Sequence, residues 1–291
     1  MEIGFVGAGR MGRPMLVNLA AAGHDVTVYE RNAGVLASLR EEGVRPAGSV
    51  RDLARLPITL SMLPDGDSAV EFLLGDDGLL TAARPGHCHV LMGTVGPELV
   101  RELSAEAAKR DVRLADAPVS GSVAAASARS IVTMVGADAD VYERIQPVLA
   151  TMTAAQLHAG PVGSGSAVKL AVNLVIAALN QAVAEALLLG EAAGIAPAIL
   201  YDALERGAAN APFVGQKRAA FLEPDRTPVA APVALIAKDV RLALQLADSH
   251  GCRLPGTLTT AKVLEEACAA GDGGLDMAQV LRTLKTTEQG K

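Results

Sequence analysis

The strongest constraint on the fold is a glycine pattern that follows the first apolar stretch. Residues 3–6 (Ile-Gly-Phe-Val) are typical of a buried strand, and Gly7, Gly9 and Gly12 come next, ahead of a helical pattern at 11–22. Glycines at G-x-G-x-x-G spacing let a strand turn tightly into a helix, and they let the backbone approach a pyrophosphate at the helix N-terminus. The pattern is weak alone, but its place between a strand and a helix predicts a dinucleotide-binding βαβ unit.

The end of the second predicted strand, residues 25–29, bears on which dinucleotide is bound. Glu30 lies 18 residues after Gly12, about where an acid accepts hydrogen bonds from the adenosine ribose hydroxyls of NAD. Arg31 beside it is able to pair with the 2′-phosphate of NADP, although Glu30 would repel that phosphate. The residues therefore slightly favour NAD over NADP. The cofactor contacts expected from the glycine loop and this strand end are Gly7, Ala8, Gly9, Arg10, Met11, Gly12, Glu30, Arg31 and Asn32.

The order of patterns along the chain predicts two domains. Short apolar runs alternate with helical patterns in the first half, which is typical of an α/β domain with a parallel sheet and helices on both faces. Turn-forming residues cluster at 160–166, and only helical patterns follow. We therefore expect a dinucleotide-binding Rossmann domain over residues 1–161. An all-α substrate and dimerisation domain is expected over residues 162–291.

Composition argues against several other functions. The net charge is −6 and no stretch is rich in Lys or Arg, so binding to nucleic acid or to a membrane surface is disfavoured. The apolar stretch at 170–189 is interrupted by Asn173, Asn180, Gln181 and Glu185, which favours a buried or interfacial helix over a membrane span. The chain enters an apolar strand at Ile3 without a basic leader, so we expect a cytoplasmic protein.

The cysteines and histidines predict no metal site. The three cysteines are scattered and none forms a Cys-x-x-Cys pair, as expected for a protein of a reducing compartment. His87 and His89 flank Cys88 after a Pro-Gly turn and have no companion cluster elsewhere, so we interpret them as surface histidines. Lys217 is likewise interpreted as a surface lysine.

One candidate for substrate binding is the serine-glycine segment that follows the predicted strand at 113–117. Ligands of parallel sheets bind at the carboxyl ends of strands. The hydroxyl of Ser120 and the N–H groups of Gly121 and Ser122 are therefore able to hold a carboxylate, so a small carboxylate-bearing substrate is expected. The alternative is a plain serine-glycine loop.

A second candidate is the pair Lys169 and Asn173, which lie four residues apart and so share one face of the predicted long helix. Their neighbours are apolar, and burial of a lysine lowers its pKa towards neutrality, which suits a general acid or base. The alternative is a lysine whose stem packs on apolar surface and a polar helix residue with a structural partner.

Six segments, spread over most of the chain, carry a resemblance to a known family. They are GAGRMGRPM from Gly7, MLPD from Met62, GTVGP from Gly93, DAPVSGS from Asp116, GSGSAVKLAVN from Gly163 and KDV from Lys238. In this order they resemble the β-hydroxyacid dehydrogenases, a group that includes 3-hydroxyisobutyrate dehydrogenase, tartronate semialdehyde reductase and succinic semialdehyde or γ-hydroxybutyrate reductases.

The resemblance implies a Rossmann domain followed by a helical domain that begins with one long helix. It implies that Lys169 is the catalytic lysine and that Asn173 positions the substrate. Ser120, Gly121 and Ser122 would anchor the substrate carboxylate, and Asp239 would orient Lys238. Further cofactor contacts are implied for Met62, Leu63, Pro64, Thr94 and Lys238.

The sequence also departs from the family pattern, and two other functions stay open. Leu91, Gly93, Ser122, Arg129 and Ala231 stand where the family usually has aspartate, serine, glycine, glycine and an aromatic residue, respectively. Imine reductases share a similar fold but usually carry another residue in place of the lysine, and cofactor-binding relatives without turnover replace it with an inert one. Because aromatic residues make up only 2% of the chain, we also expect the helical half to pack against a second copy, in a homodimer or homotetramer.

Overall fold

A computed structural model describes residues 1–288, with side chains through Lys285, and the chain divides into two compact units. The first is Met1–Lys169 and the second is Leu170–Lys291, so the division falls inside a long helix. The expected boundary, between residues 161 and 162, comes just before that helix starts at Ser164. Each unit has its own hydrophobic core.

The first unit contains all nine strands found among residues 1–288. They are β1 (Glu2–Val6), β2 (Asp25–Tyr29), β3 (Arg45–Pro46), β4 (Ile58–Ser61), β5 (Cys88–Leu91), β6 (Arg113–Asp116), β7 (Val119–Ser120), β8 (Val132–Gly136) and β9 (Ala155–Gly160).

The sheet has the order β3-β2-β1-β4-β5-β6-β8-β7, and β9 also pairs with β8. Every neighbouring pair from β3 to β6 is parallel. Strands β2 and β3 are added on one side of β1, whereas β4, β5 and β6 are added on the other side, so the strand order switches between β1 and β4. In doubly wound sheets a ligand binds in the crevice outside such a switch point. The dinucleotide loop expected after β1 therefore lies at this crevice.

Helices of the first unit connect these strands. They are α1 (Gly12–Ala21), α2 (Ala33–Glu41), α3 (Val50–Leu53), α4 (Gly66–Leu74), α5 (Pro97–Ala108), α6 (Val123–Ser127), α7 (Ala139–Leu149) and the start of α8 (Ser164–Ala192).

Two apolar clusters cover the two faces of the sheet. Successive residues of a strand point to opposite faces. Phe5 accordingly joins the cluster that contains Met15 of α1, whereas Val6 joins the cluster that contains Leu73 of α4 and Leu103 of α5. Strands buried on both faces are typical of parallel sheets, and they explain why residues 3–6 lack any polar alternation.

In the second unit, as far as residue 288, every regular element is a helix. These helices are the remainder of α8, α9 (Pro197–Arg206), α10 (Pro212–Leu222), α11 (Val233–Ser249), α12 (Pro255–Ala269) and α13 (Val280–Glu288), with short 3₁₀ turns at Pro224–Arg226, Asp272–Gly274 and Met277–Gln279. Tyr201 and Phe221 pack in its core with ring centroids 6.1 Å apart.

Helix α8 is long and apolar enough to cross a membrane by length and composition, a test that a core helix of a soluble protein also meets. One of its polar residues, Asn180, donates to the Met277 carbonyl at 2.9 Å inside the helical unit. A stripe of apolar residues spaced seven or fourteen apart remains exposed: Val168, Val175 and Leu189. Such a face is typical of a helix that packs against another protein surface; the expected self-association stays a prediction.

The structure corrects the expected strand pattern. The sheet is mixed, because β8 runs antiparallel to both β6 and β7. Strand β9 was absent from the sequence prediction because Ala155–Gly160 carries few β-branched residues and half of its positions are exposed. Helices α4 and α7 were missed as well.

The interpretation of His87 and His89 as surface residues was wrong, since both lie buried in β5 or directly before it. Thr59 Oγ1 lies 2.9 Å from His87 Nε2 and 2.8 Å from His89 Nδ1, and His87 Nδ1 lies 2.7 Å from the Leu56 carbonyl oxygen. Burial lowers the pKa of His87 to about 4 and that of His89 to about 3, so both imidazoles are neutral at physiological pH. Histidine is tolerated here because each buried ring nitrogen has a partner.

Lys217 is also buried, against the sequence-based expectation. Its Nζ lies 2.7 Å from Asp276 Oδ1, inside the helical unit. Burial alone would raise the pKa of Asp276, but hydrogen bonds from Lys217 and from backbone N–H groups outweigh it and the pKa is lowered. Lys217 therefore neutralises a buried carboxylate and holds two helical segments together.

Candidate active site

The glycine loop between β1 and α1 is built by close backbone packing. Gly7 has φ +88°, and a Cβ there would overlap the carbonyl oxygen of Met62. A Cβ at Gly12 would overlap the carbonyl oxygen of Gly7. Gly9, in contrast, has no atom within 4 Å of where its Cβ would be, so the space above the loop is open. Two glycines thus fold the loop tightly and the third keeps its outer side clear.

Glu30 folds back onto this loop from the end of β2. Its Oε2 accepts the Ala8 N–H at 3.3 Å and its Oε1 accepts the Asn32 N–H at 2.9 Å. Arg31 is exposed next to it. Asn32 is the N-cap residue of α2, and its side-chain oxygen accepts the N–H groups of the first turn, so that oxygen serves the helix. The carboxylate of Glu30 therefore lies beside the loop, as the distance in sequence predicts.

The ends of β4 and β5 meet next to the loop. Met62 contacts Gly7, and a Cβ at Gly93 would overlap the Leu63 carbonyl oxygen. This contact gives a physical reason for glycine at a position where serine is usual, because a side chain there would push the two loops apart. Thr94 is half-buried and Pro64 is exposed.

These residues fit a dinucleotide. A pyrophosphate requires a tight loop with an open outer side, and the loop has both, because a Cβ at Gly7 or Gly12 would overlap backbone and the space at Gly9 is open. A ribose requires an acid beside the loop, and Glu30 lies there. The N-cap residue of α1, Met11, makes no side-chain hydrogen bond to the first turn. The helix N-terminus is therefore left for an anion.

A groove of about 550 Å³ continues this open space between α1 and α6. Arg10, Arg13 and Asn18 line it on one side, and Val123 lines it on the other. Arg13 is held by an ion pair with Glu42 at 2.7 Å. The groove thus joins the glycine loop to the helix that follows the serine-glycine segment.

The serine-glycine segment forms a turn between β7 and α6. Gly121 has φ +142°, and a Cβ there would lie 2.7 Å from Ile131 Cγ2, so other residues would be strained. Ser122 caps α6 by accepting the Ala125 N–H at 3.2 Å. Ser120 is half-buried, and no side-chain hydrogen bond to another residue of the described part is found for its hydroxyl. Of the three residues, Ser120 therefore offers a hydroxyl for a ligand.

Arg129 keeps the conformation that glycine would have at its position. Its φ is +57°, in the left-handed region that favours glycine. Its Nε donates to Asn18 Oδ1 at 3.3 Å, and Asn18 Nδ2 donates to the Ala126 carbonyl at 2.8 Å. The arginine thus ties the loop after α6 to α1.

Lys169 and Asn173 lie one turn apart on α8, and both are buried, with exposed fractions of 9% and 7%. Asn173 Nδ2 donates to Asp239 Oδ2 at 2.6 Å within the helical unit. Lys238 Nζ lies 2.9 Å from Asp239 Oδ1 and forms an ion pair with it, but the angles at these atoms do not meet those of a hydrogen bond. Asp239 therefore links the residue expected to position the substrate with a residue expected to contact the cofactor.

Asp116 is the residue to which the sequence assigned no role, although it begins the DAPVSGS segment. Its side chain is fully buried at the end of β6. Oδ1 accepts the Gly163 N–H at 2.7 Å and Oδ2 accepts the Ser166 N–H at 2.6 Å. Burial raises the pKa of Asp116, and these N–H donors oppose that rise. The available signal was the glycine before Ser164, which leaves α8 without a capping side chain.

Comparisons with known proteins cover nearly the whole chain. Residues 2–160 match the family model described as the NAD binding domain of 6-phosphogluconate dehydrogenase. Residues 163–284 match the model described as NAD-binding of NADP-dependent 3-hydroxyisobutyrate dehydrogenase.

Individual relatives agree with these models. The chain is 31% identical over 289 residues to glyoxylate/succinic semialdehyde reductase 2, chloroplastic, of Arabidopsis thaliana, covering 99% of this chain and 80% of that protein. It is 36% identical over 206 residues to 3-hydroxyisobutyrate dehydrogenase of Pseudomonas aeruginosa, covering 70% and 69%.

A solved structure of 3-hydroxyisobutyrate dehydrogenase from Mycobacterium tuberculosis, with L-serine, superposes with a TM-score of 0.86 at 30% identity, covering 97% of this chain and 98% of that one. The fold and the resemblance predicted from the sequence are thereby confirmed. The chain belongs to the β-hydroxyacid dehydrogenase family, the NAD(P)-binding oxidoreductases that include 3-hydroxyisobutyrate dehydrogenase and the semialdehyde reductases.

Proposed function

We propose that the protein transfers a hydride, reversibly, between a nicotinamide cofactor and a small 3-hydroxy acid or semialdehyde acid, with Lys169 as the general acid and base. The observation that carries the proposal is the burial of Lys169 one helical turn from Asn173. A buried lysine beside a hydrogen-bonded amide suits proton transfer better than a solvated surface lysine does.

The glycine loop and the acid beside it support the cofactor part of the proposal. Gly7, Gly9 and Gly12 would accept the pyrophosphate, and Glu30 would accept hydrogen bonds from the ribose hydroxyls. Met62, Leu63, Pro64, Thr94 and Lys238 are the further cofactor contacts. When bound, the nicotinamide gives a hydride to the carbonyl carbon or takes one from the alcohol carbon.

The substrate part of the proposal concerns a carboxylate. Ser120 would donate its hydroxyl hydrogen to one carboxylate oxygen, and the backbone N–H groups of Gly121 and Ser122 would donate to the other. Relatives of this chain are named for glyoxylate, succinic semialdehyde and 3-hydroxyisobutyrate, which all carry a carboxylate. The substrate of this chain is expected within that class.

Lys169 would move the proton. In reduction its ammonium donates a proton to the carbonyl oxygen as the alcohol forms, and in oxidation its neutral amine takes the proton from the hydroxyl. Asn173, held by Asp239, presents a carbonyl oxygen fixed in orientation, which is able to accept a hydrogen bond from the substrate hydroxyl or from the ammonium.

The test is the variant Lys169→Ala, compared with Lys109→Ala at an exposed ion pair of the first unit. We expect kcat for reduction of a carboxylate-bearing aldehyde to fall at least about a hundredfold in Lys169→Ala, the usual contribution of a general acid. NADH affinity, measured by fluorescence titration, should stay within about twofold of wild type. Lys109→Ala should behave as wild type, and full activity in Lys169→Ala would overturn the assignment.

A further inference from the structure

Helix α8, which carries Lys169, begins without a capping side chain of its own. Gly163 precedes its first residue, Ser164, and glycine has no side chain to accept the N–H groups of the first turn. These groups have no partner inside the helix, and when buried they must be satisfied elsewhere. Asp116 satisfies two of them, from Gly163 at 2.7 Å and from Ser166 at 2.6 Å.

The arrangement is a capping box supplied by one distant residue. In an ordinary capping box, two side chains of the helix itself accept the N–H groups of the N-cap and of the third helical residue. Asp116 accepts both bonds with its two oxygens, from 47 and 50 positions away in the sequence. The start of α8 is therefore attached to the end of β6.

This attachment leaves little room for movement. Asp116 is fully buried and pairs with Gly136 across β6 and β8. A Cβ at Gly136 would overlap Asp116 Oδ1, so the carboxylate is enclosed by backbone. Two short hydrogen bonds from one rigid group fix both the axial position and the rotation of the first turn of α8.

The charge of the carboxylate acts in the same direction as its geometry. A helix N-terminus carries partial positive charge, which disfavours an ammonium group on the next turn. An anionic Asp116 opposes this partial charge and favours the protonated form of an amine nearby.

Lys169 follows Ser166 by three residues, roughly 4.5 Å along the helix axis. We propose that Asp116 is a positioning residue for proton transfer: it fixes the first turn of α8, which holds the Lys169 side chain in place and keeps its amine protonated to higher pH. The proposal rests on the function proposed above for Lys169. In this proposal Asp116 contacts neither the substrate nor the cofactor and acts only through α8.

The test is Asp116→Asn, which keeps the shape but turns an amide N–H₂ towards one backbone N–H. We expect kcat for reduction to fall about tenfold to a hundredfold, as for a small misplacement of a catalytic group. The alkaline limb of the kcat profile should move to lower pH by about half a unit, because a negative charge is lost. NADH affinity should stay within about twofold, and hydrogen exchange of the peptide 161–170 should become faster.

Asp52→Asn is the matched control, because Asp52 Oδ2 also accepts two backbone N–H groups, from Gly48 at 3.0 Å and Ser49 at 2.9 Å, at the start of α3. It should leave kcat and the alkaline limb unchanged. If Asp116→Asn does not fold, Asp116→Ser, which keeps one acceptor, is measured the same way.

The outcomes separate the two proposals. An unchanged kcat and alkaline limb in a folded Asp116 variant, with Lys169→Ala inactive, would mean that Asp116 has a structural role only and would overturn the inference. An active Lys169→Ala would instead overturn the proposed function. Changes in kcat, pH profile and exchange together, with NADH affinity retained, would support the inference.

Discussion

Two helices of the first unit have N-termini that serve opposite purposes. At the start of α1, Met11 provides no side-chain cap and the space beyond Gly9 is open. At the start of α8, Asp116 occupies the same kind of position and accepts two of the N–H groups that a ligand would otherwise use. Both termini favour negative charge, since both end a row of aligned peptide dipoles.

The difference lies in where the negative charge comes from. An N-terminus left without a protein acceptor binds an anionic ligand, whereas one filled by a buried carboxylate becomes a fixed attachment point. The first arrangement suits a cofactor that must enter and leave. The second suits a lysine whose position must stay constant through the reaction.

The largest expected effect comes from placing an acidic side chain at the open N-terminus of α1, as Asp116 is placed at the N-terminus of α8. Gly9→Asp places a carboxylate in open space, so the fold should be retained. Two like charges about 4 Å apart repel by about 4 kcal/mol at an effective dielectric constant of roughly 20, so NADH affinity should fall about a thousandfold. Fluorescence titration measures the affinity and thermal unfolding checks the fold.

Gly9→Ala is the control for this variant, because it adds the same Cβ without the charge. It should weaken NADH binding about tenfold or less, since a methyl group meets no protein atom there. Equal losses in both variants would show that shape alone excludes the cofactor, and the comparison of the two termini would lose its electrostatic basis.

The two helix termini can be compared only at pH values where the protein is stably folded, and the buried histidines His87 and His89 limit that range on the acid side. Each pKa is lower in the folded protein than the ordinary 6.5, so stability is fully present above pH 6.5 and is lost as the pH falls towards 4. His87 alone should remove about 3 kcal/mol of the free energy of unfolding over that range.

Urea unfolding from pH 7.5 to pH 4.5 measures this effect. His87→Gln should be less stable than wild type at neutral pH, because it loses the pairing with Thr59 and the Leu56 carbonyl, but its stability should depend less steeply on pH. The same pH dependence in both proteins would mean that His87 does not govern acid stability. Above pH 7 both histidines are neutral in the folded and the unfolded protein, so their protonation does not affect kinetic profiles measured there.

The smallest expected effect concerns the choice between NADH and NADPH, which differ in the 2′-phosphate on the adenosine ribose. Glu30→Gln removes a negative charge beside the loop, so the ratio of NADPH affinity to NADH affinity should rise about tenfold. Arg31→Ala should lower NADPH affinity alone. If Glu30→Gln leaves the ratio unchanged, the carboxylate does not select the cofactor.

The sequence predicts the open terminus better than the filled one. Gly7, Gly9 and Gly12 act through local backbone geometry, and their spacing is read directly from neighbouring residues. Asp116 acts on residues 47 and 50 positions away, and Lys217 pairs with Asp276, 59 positions away, so only the folded chain brings these partners together.

The same limit explains the other errors. His87 and His89 are polar by type and follow a turn, which indicates surface positions, but β5 is a central strand between β4 and β6, and apolar clusters cover both faces of the sheet. Strand β9 was missed because its pairing with β8, rather than its own residues, makes it a strand. Partners distant in sequence decided each case.

The most direct test of the account is turnover by the wild-type protein. Absorbance loss of NADH and of NADPH should be followed with succinic semialdehyde, glyoxylate, tartronate semialdehyde, methylmalonate semialdehyde and one cyclic imine. The account predicts turnover with at least one carboxylate-bearing aldehyde and faster oxidation of NADH than of NADPH. Turnover of the imine alone, or tight cofactor binding without turnover of any aldehyde, would contradict it.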